Sequence, residues 1–125
     1  MSREFEIQKL VLGWARARGV IFFSDPSGFK LPIGYAKKLK ALRNPQRGLP
    51  DTFIPAARNG YHGLFIEFKA SKDEIIRKDG KYRDNRHLQE QLEVHRNLRE
   101  LGYCVEFVYE VNQGIELIRS YLESK

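Results

Sequence analysis

Leu64-Phe65-Ile66-Glu67-Phe68-Lys69 alternates in the period of a β-strand, whose successive side chains point to opposite faces of a sheet. Leu64, Ile66 and Phe68 are expected to enter a core, which leaves Glu67 and Lys69 together on the other face. Upstream, Gly48-Leu49-Pro50-Asp51 leads into a second short strand, Thr52 to Ala56, and Asn59-Gly60 supplies the turn between the two. A hairpin of these strands brings Asp51 and Glu67 to one end of the sheet. Two converging carboxylates offer hard oxygen donors of the kind that suit Mg²⁺ or Mn²⁺. A lysine on the same face can orient a water and offset phosphate charge. Taken singly, Glu-X-Lys is more commonly a solvated strand face, and Pro-Asp a turn.

Outward from this hairpin the chain reads as alternating helices and strands. Glu4 to Arg18 has Ile7, Leu10, Val11 and Trp14 at helical spacing, with Gly19 as a C-terminal stop. Val20 to Phe23 reads as a strand, and Tyr35 to Leu42 as a short helix ended by Asn44-Pro45. Ser71 to Arg86 is charged, with Asp79-Gly80 as a turn, and reads as a mobile loop or flap. Arg86 to Leu101 reads as a second amphipathic helix, Tyr103 to Tyr109 as a strand and Gly114 to Leu122 as a closing helix. The order implies an α/β fold, a central mixed sheet flanked by helices, in a single domain over residues 1–125.

The composition, 42% hydrophobic and 30% charged over 125 residues, excludes general disorder and permits one core of moderate size. The apolar run Val20 to Phe23 is far too short to span a bilayer, so no membrane role is expected. Arg3, Glu4, Glu6 and Lys9 interrupt any export signal, and the single cysteine, Cys104, suits a reducing cytoplasm. His62, His87 and His95 have no zinc-like spacing with it.

Charge is concentrated. The chain carries 22 basic and 16 acidic residues, a net +6. Between Pro26 and Pro50 stand Lys30, Lys37, Lys38, Lys40, Arg43 and Arg47, with no acid among them, so this segment accounts for the whole excess. Such a segment suits a polyanion, whose counterions are released when lysine and arginine replace them. A solvated loop that only aids solubility is the plainer alternative.

Taken in order, Gly48-Leu49-Pro50-Asp51, Ile66-Glu67-Phe68-Lys69, and Gln91 with Leu98 and Gly102 behind it resemble the VRR-NUC branch of the PD-(D/E)XK nucleases. The resemblance runs from the first helix to the last. It implies a restriction-endonuclease-like core and metal-dependent hydrolysis of phosphodiester bonds. Asp51 and Glu67 would then be metal ligands, with the backbone carbonyl of Phe68 as a third, and Lys69 would position the attacking water. The family is associated with phages and with replication and repair. Its small stand-alone members are similar to Holliday-junction resolvases, which act as dimers.

Gln91 falls near the centre of the apolar face of its helix, where an unpaired amide costs on the order of 1–3 kcal/mol. It is either a core glutamine capping backbone or, as the resemblance implies, part of the site. His95, one turn on, is expected to be a satisfied core histidine. Glu4 lies toward the apolar stripe of the first helix, and the resemblance makes it the candidate for a further acid at the metal site, with Gln8 as the alternative. A glutamate that only favours the helix dipole is the plainer reading.

The sequence thus leads to a divalent-metal-dependent deoxyribonuclease using Mg²⁺ or Mn²⁺, located in the cytoplasm of a bacterium or a phage-infected host. Lys30 to Arg47 would hold substrate phosphates, with Lys72 near the cut. Branched DNA is the expected substrate and a homodimer the expected unit, with Phe22, Phe23, Phe29, Leu31 and Tyr35 as apolar groups for its interface. The rivals are a monomeric flap or single-strand nuclease and a non-catalytic DNA-binding module.

Overall fold

The structure, a computed structural model, describes residues 2–25 and 31–125. Lys30 and Phe29, expected in the phosphate-binding segment and the dimer interface, lie outside the described residues.

Four helices and four strands follow one another as α1 (Arg3–Ala17), β1 (Phe23–Ser24), α2 (Ile33–Leu42), β2 (Thr52–Ile54), β3 (Leu64–Phe68), α3 (Arg86–Glu100), β4 (Cys104–Val108) and α4 (Val111–Glu123), with a short 3₁₀ turn at Lys72–Glu74. The sheet order is β1-β2-β3-β4. The first two pairings are antiparallel, and β3–β4 is parallel across the α3 crossover.

The expected alternation in β3 is present. Leu64, Ile66 and Phe68 are buried with Ile54 and Val108 beneath Ile7, Val11 and Leu12 of α1 and Ile118 and Tyr121 of α4. Burial of each such side chain contributes about 1.5–3 kcal/mol. Gly114 lets α4 lie against α1 and β4, since a Cβ there would come within 2.8 Å of Val11 and 2.9 Å of Val108. The opposite face of the sheet, carrying Phe65 and Glu67, is covered by α3 through Leu88, Gln91, Val94 and His95.

Local chemistry sets the element ends. Ser2 Oγ accepts from the Phe5 amide to start α1, and Asn85 Oδ1 accepts from the Leu88 amide to start α3. Asn59 and Gly60 both take positive φ, 50° and 82°, as the tight hairpin turn requires.

Several expectations need correction. Leu10 is 54% exposed and does not join the apolar stripe of α1. Only Phe23 and Ser24 pair as β1, with Phe53 and Thr52; Val20 and Phe22 instead pack on the core. The Ser71–Arg86 segment, expected as a loop or flap, turns at Asp79-Gly80 and is anchored at its base: Ile75 is buried and accepts from the Arg83 amide, and Ile76 bridges Tyr82. Among the described residues no helix is long and apolar enough to cross a membrane.

Candidate active site

Asp51 and Glu67 meet at the end of the β2–β3 hairpin, as the strand pattern requires. Thr52 pairs with Ile66, which sets Asp51 beside Glu67, and the two carboxyls share a hydrogen bond. Thr52 Oγ1 donates to Asp51 Oδ1 at 3.0 Å, and the backbone amide of Phe68 also favours the ionised form of Asp51. Glu67 and Lys69 are both buried, at 5% and 7% exposure, far from the solvated Glu-X-Lys face that the tripeptide alone would suggest.

Burial is the main reason that both carboxyls are pushed up to about 8. The neighbouring Glu67 raises Asp51 further, whereas the Lys69 charge opposes the rise at Glu67. Two acids in such contact hold a proton between them unless a cation replaces it.

These groups open into a cavity of about 640 Å³. Glu4 and Gln8 of α1, Gln91 of α3 and the backbone of Phe68, whose ring is in the core, all line it with Asp51, Glu67 and Lys69. Glu4 reaches the site because Arg3 Nε donates to the Ala70 carbonyl at 2.7 Å, clamping the start of α1 over the end of β3. Its carboxyl is also raised, chiefly by burial, with Lys69 opposing. The facing wall is the predicted basic segment: Lys40, Arg43 and Arg47 line the cavity. Lys37, Lys38 and Lys72 are exposed and do not line it. A second depression of about 400 Å³ shares Lys69 and His87 with the first.

Gly48 docks the basic segment on α3. Its φ is +85°, and a Cβ there would lie 2.7–2.8 Å from the backbone of Glu90 and Gln91. No residue with a side chain fits both that conformation and that approach.

The donor set fits a hard divalent cation. Asp51, Glu67 and the Phe68 backbone supply oxygens, and Glu67 Oε1 and Gln91 Oε1 are buried without a hydrogen-bond partner. Among the described residues no three His, Cys, Asp or Glu side chains form a ligating cluster.

No family model matches the sequence, and no curated protein matches it. Among solved structures, one described as a VRR_NUC domain protein superposes with a TM-score of 0.61 at 26% identity, over 99% of this chain and 91% of that one. This chain shares the fold of that VRR_NUC domain protein. That fold is restriction-endonuclease-like, in agreement with the mixed sheet and its flanking helices.

Two features of the site escape the sequence reading. Asp25 lines the cavity, its amide donating to the Asp51 carbonyl at 2.8 Å and its carboxylate 3.3 Å from Arg43 Nε. The signal was present: two residues past Phe23 on a strand, Asp25 falls on the same face, but it lies outside the basic run that drew attention. His95 is fully buried, as expected, yet it is not satisfied: neither ring nitrogen has a hydrogen bond. Its Nε2 stands 3.5 Å from Glu67 Oε1 without hydrogen-bonding alignment. Burial, together with the charges of Arg99 and Lys69, lowers its pKa to about 4, so the ring is neutral.

Proposed function

We propose that this chain is a divalent-metal-dependent nuclease that hydrolyses phosphodiester bonds in DNA. The observation that carries the reading is the buried Asp51–Glu67 pair beside Lys69, in a cavity whose facing wall is Lys40, Arg43 and Arg47. Five acids in all line that cavity. A site that bound phosphate by charge alone would gain nothing from burying two carboxyls against each other, which counts against a non-catalytic binding module. The likeness to a VRR_NUC domain protein supports the nuclease part of this reading.

Asp51, Glu67 and the Phe68 carbonyl would hold Mg²⁺ or Mn²⁺, with Glu4 as an outer acid and Gln91 contributing its free amide oxygen. A bound divalent ion activates water as a nucleophile and offsets charge at the scissile phosphate. Lys69 orients the attacking water and neutralises charge that builds on the phosphate oxygens. Water oxygen bonds to phosphorus, the bond to one bridging oxygen breaks, and a proton passes to that leaving oxygen. The arginines and Lys40 fix the backbone of the substrate without reading its bases.

The substrate is branched DNA and the active unit a homodimer, because a junction needs paired incisions and one chain offers a single site. Phe23 and Tyr35 of the expected interface are 65% and 55% exposed, and Ile33 and Leu42 on α2 are more so, at 78% and 86%. Leu31 is half-buried, and Phe22 packs against the core instead. The protein is expected to work in the cytoplasm, where such DNA is processed.

Labelled junction, flap, duplex and single-stranded DNA, each incubated with and without Mg²⁺ or Mn²⁺, tests the reading. Metal-dependent cutting strongest on junctions, by a species of dimer mass in light scattering, is expected. Preference for single strands by a monomer would replace the branched-DNA assignment with a flap or single-strand nuclease.

A further inference from the structure

Among the described residues, every buried side-chain nitrogen or oxygen left without a hydrogen bond belongs to Glu67, Gln91 or His95. Native interiors leave few such atoms, and each asks for a reason. Gln91 has one already, since it lines the cavity and the proposed metal site uses its oxygen. His95 does not line the cavity and is 0% exposed, so it reaches neither substrate nor solvent. What it reaches is Glu67, across 3.5 Å from Nε2 to Oε1.

The setting restricts the ring. It packs against Phe107 at 4.8 Å between centroids, and Phe107 is the β4 residue paired with Glu67. Gln91 and His95 are one helical turn apart, so α3 delivers both to the same strand position. A purely apolar packing role at this position would be met by leucine or phenylalanine without stranding two ring nitrogens in the interior.

We propose that His95 is a positioning residue for Glu67: in the loaded site its Nε2–H donates to Oε1 and so aims the other oxygen, Oε2, into the cavity. Buried partners behind a metal-ligating carboxylate hold it in one orientation, and their loss typically weakens metal affinity about 10–100-fold. The proposal rests on the metal-site reading given above, and its test separates the two.

Mn²⁺ binding to the substrate-free full chain, measured by isothermal titration calorimetry, is compared for wild type, His95→Phe, His95→Gln and Glu67→Gln, with thermal midpoints and kcat and KM alongside. The expected result is about tenfold or greater loss of Mn²⁺ affinity in His95→Phe, at a thermal midpoint equal to or above that of wild type. DNA cleavage should fall in kcat with KM unchanged, and His95→Gln, which keeps a donor, should recover most of the affinity. His95→Met serves as the apolar variant if phenylalanine does not fold. Wild-type Mn²⁺ affinity in a folded apolar variant overturns the role of His95 while Glu67→Gln still abolishes binding. An affinity loss that His95→Gln fails to recover and that tracks the thermal midpoint overturns it as well. Unaltered Mn²⁺ binding in Glu67→Gln instead overturns the metal-site reading, and the proposal with it.

Discussion

Asp51 and Glu67 are acids held where water would not leave them, and that has a measurable cost. Their unfolded carboxyls titrate near 3.8 and 4.5, whereas burial and mutual contact push the folded ones to about 8. Between those limits the folded chain keeps protons that the unfolded chain has released. The carboxyls' contribution to the stability of the metal-free protein therefore falls as pH rises through that window, and is fully present below the unfolded values. Calorimetry without divalent ions should show the thermal midpoint dropping between about pH 5 and pH 8. Asp51→Asn should flatten the slope and raise the midpoint at pH 8 by on the order of a few degrees. Mg²⁺ should reverse the loss in wild type and not in the variant. A midpoint that climbs across this range would show that the two carboxyls are not jointly buried.

At the scale of elements, α2 is the outlier. None of its residues is buried, and ten residues are too few for a helix to hold itself in water by propensity. Its exposed Tyr35 and Leu42 lie on one flank, with Lys37 and Lys40 on the other. Sequence periodicity found the helix but could not tell that its apolar stripe lacks a place in the core, because that depends on where the preceding chain delivers it. The lysines are thereby free for a phosphate backbone. Replacing Lys37, Lys38 and Lys40 together by alanine should leave the thermal midpoint within about 2 °C of wild type, since none contributes to packing. Affinity for DNA should fall alike for every sequence, and the slope of log affinity against log salt should flatten by up to about 3. An unchanged slope would make the segment a solubility feature.

For the whole molecule, what the sequence disclosed is what local chemistry alone decides. Alternation in Leu64–Lys69 with the Asn59-Gly60 turn sufficed to join Asp51 and Glu67, since hairpin register follows from the strand pattern and the turn. The placement of Glu4 also followed from the helical stripe of α1, although the Arg3–Ala70 bond that clamps it there connects residues 67 apart in the chain and has no local signature. The brevity of β1, the docking of Gly48 on α3 and the unpartnered ring of His95 depend on what distant elements present to one another. Each lies beyond the reach of periodicity.

These long-range contacts converge on one claim, that Asp51, Glu67 and Lys69 form a metal-dependent cutting site separable from the surface that grips DNA. Its most direct test is cleavage and gel shift on the same labelled substrate with Mg²⁺ or Mn²⁺, for wild type, Asp51→Asn, Glu67→Gln and Lys69→Ala. The account predicts that wild type cuts only with the metal, and that each variant stays folded, still shifts the DNA, and loses cleavage by at least about 100-fold. A folded variant of any of the three that cuts at close to the wild-type rate would contradict it.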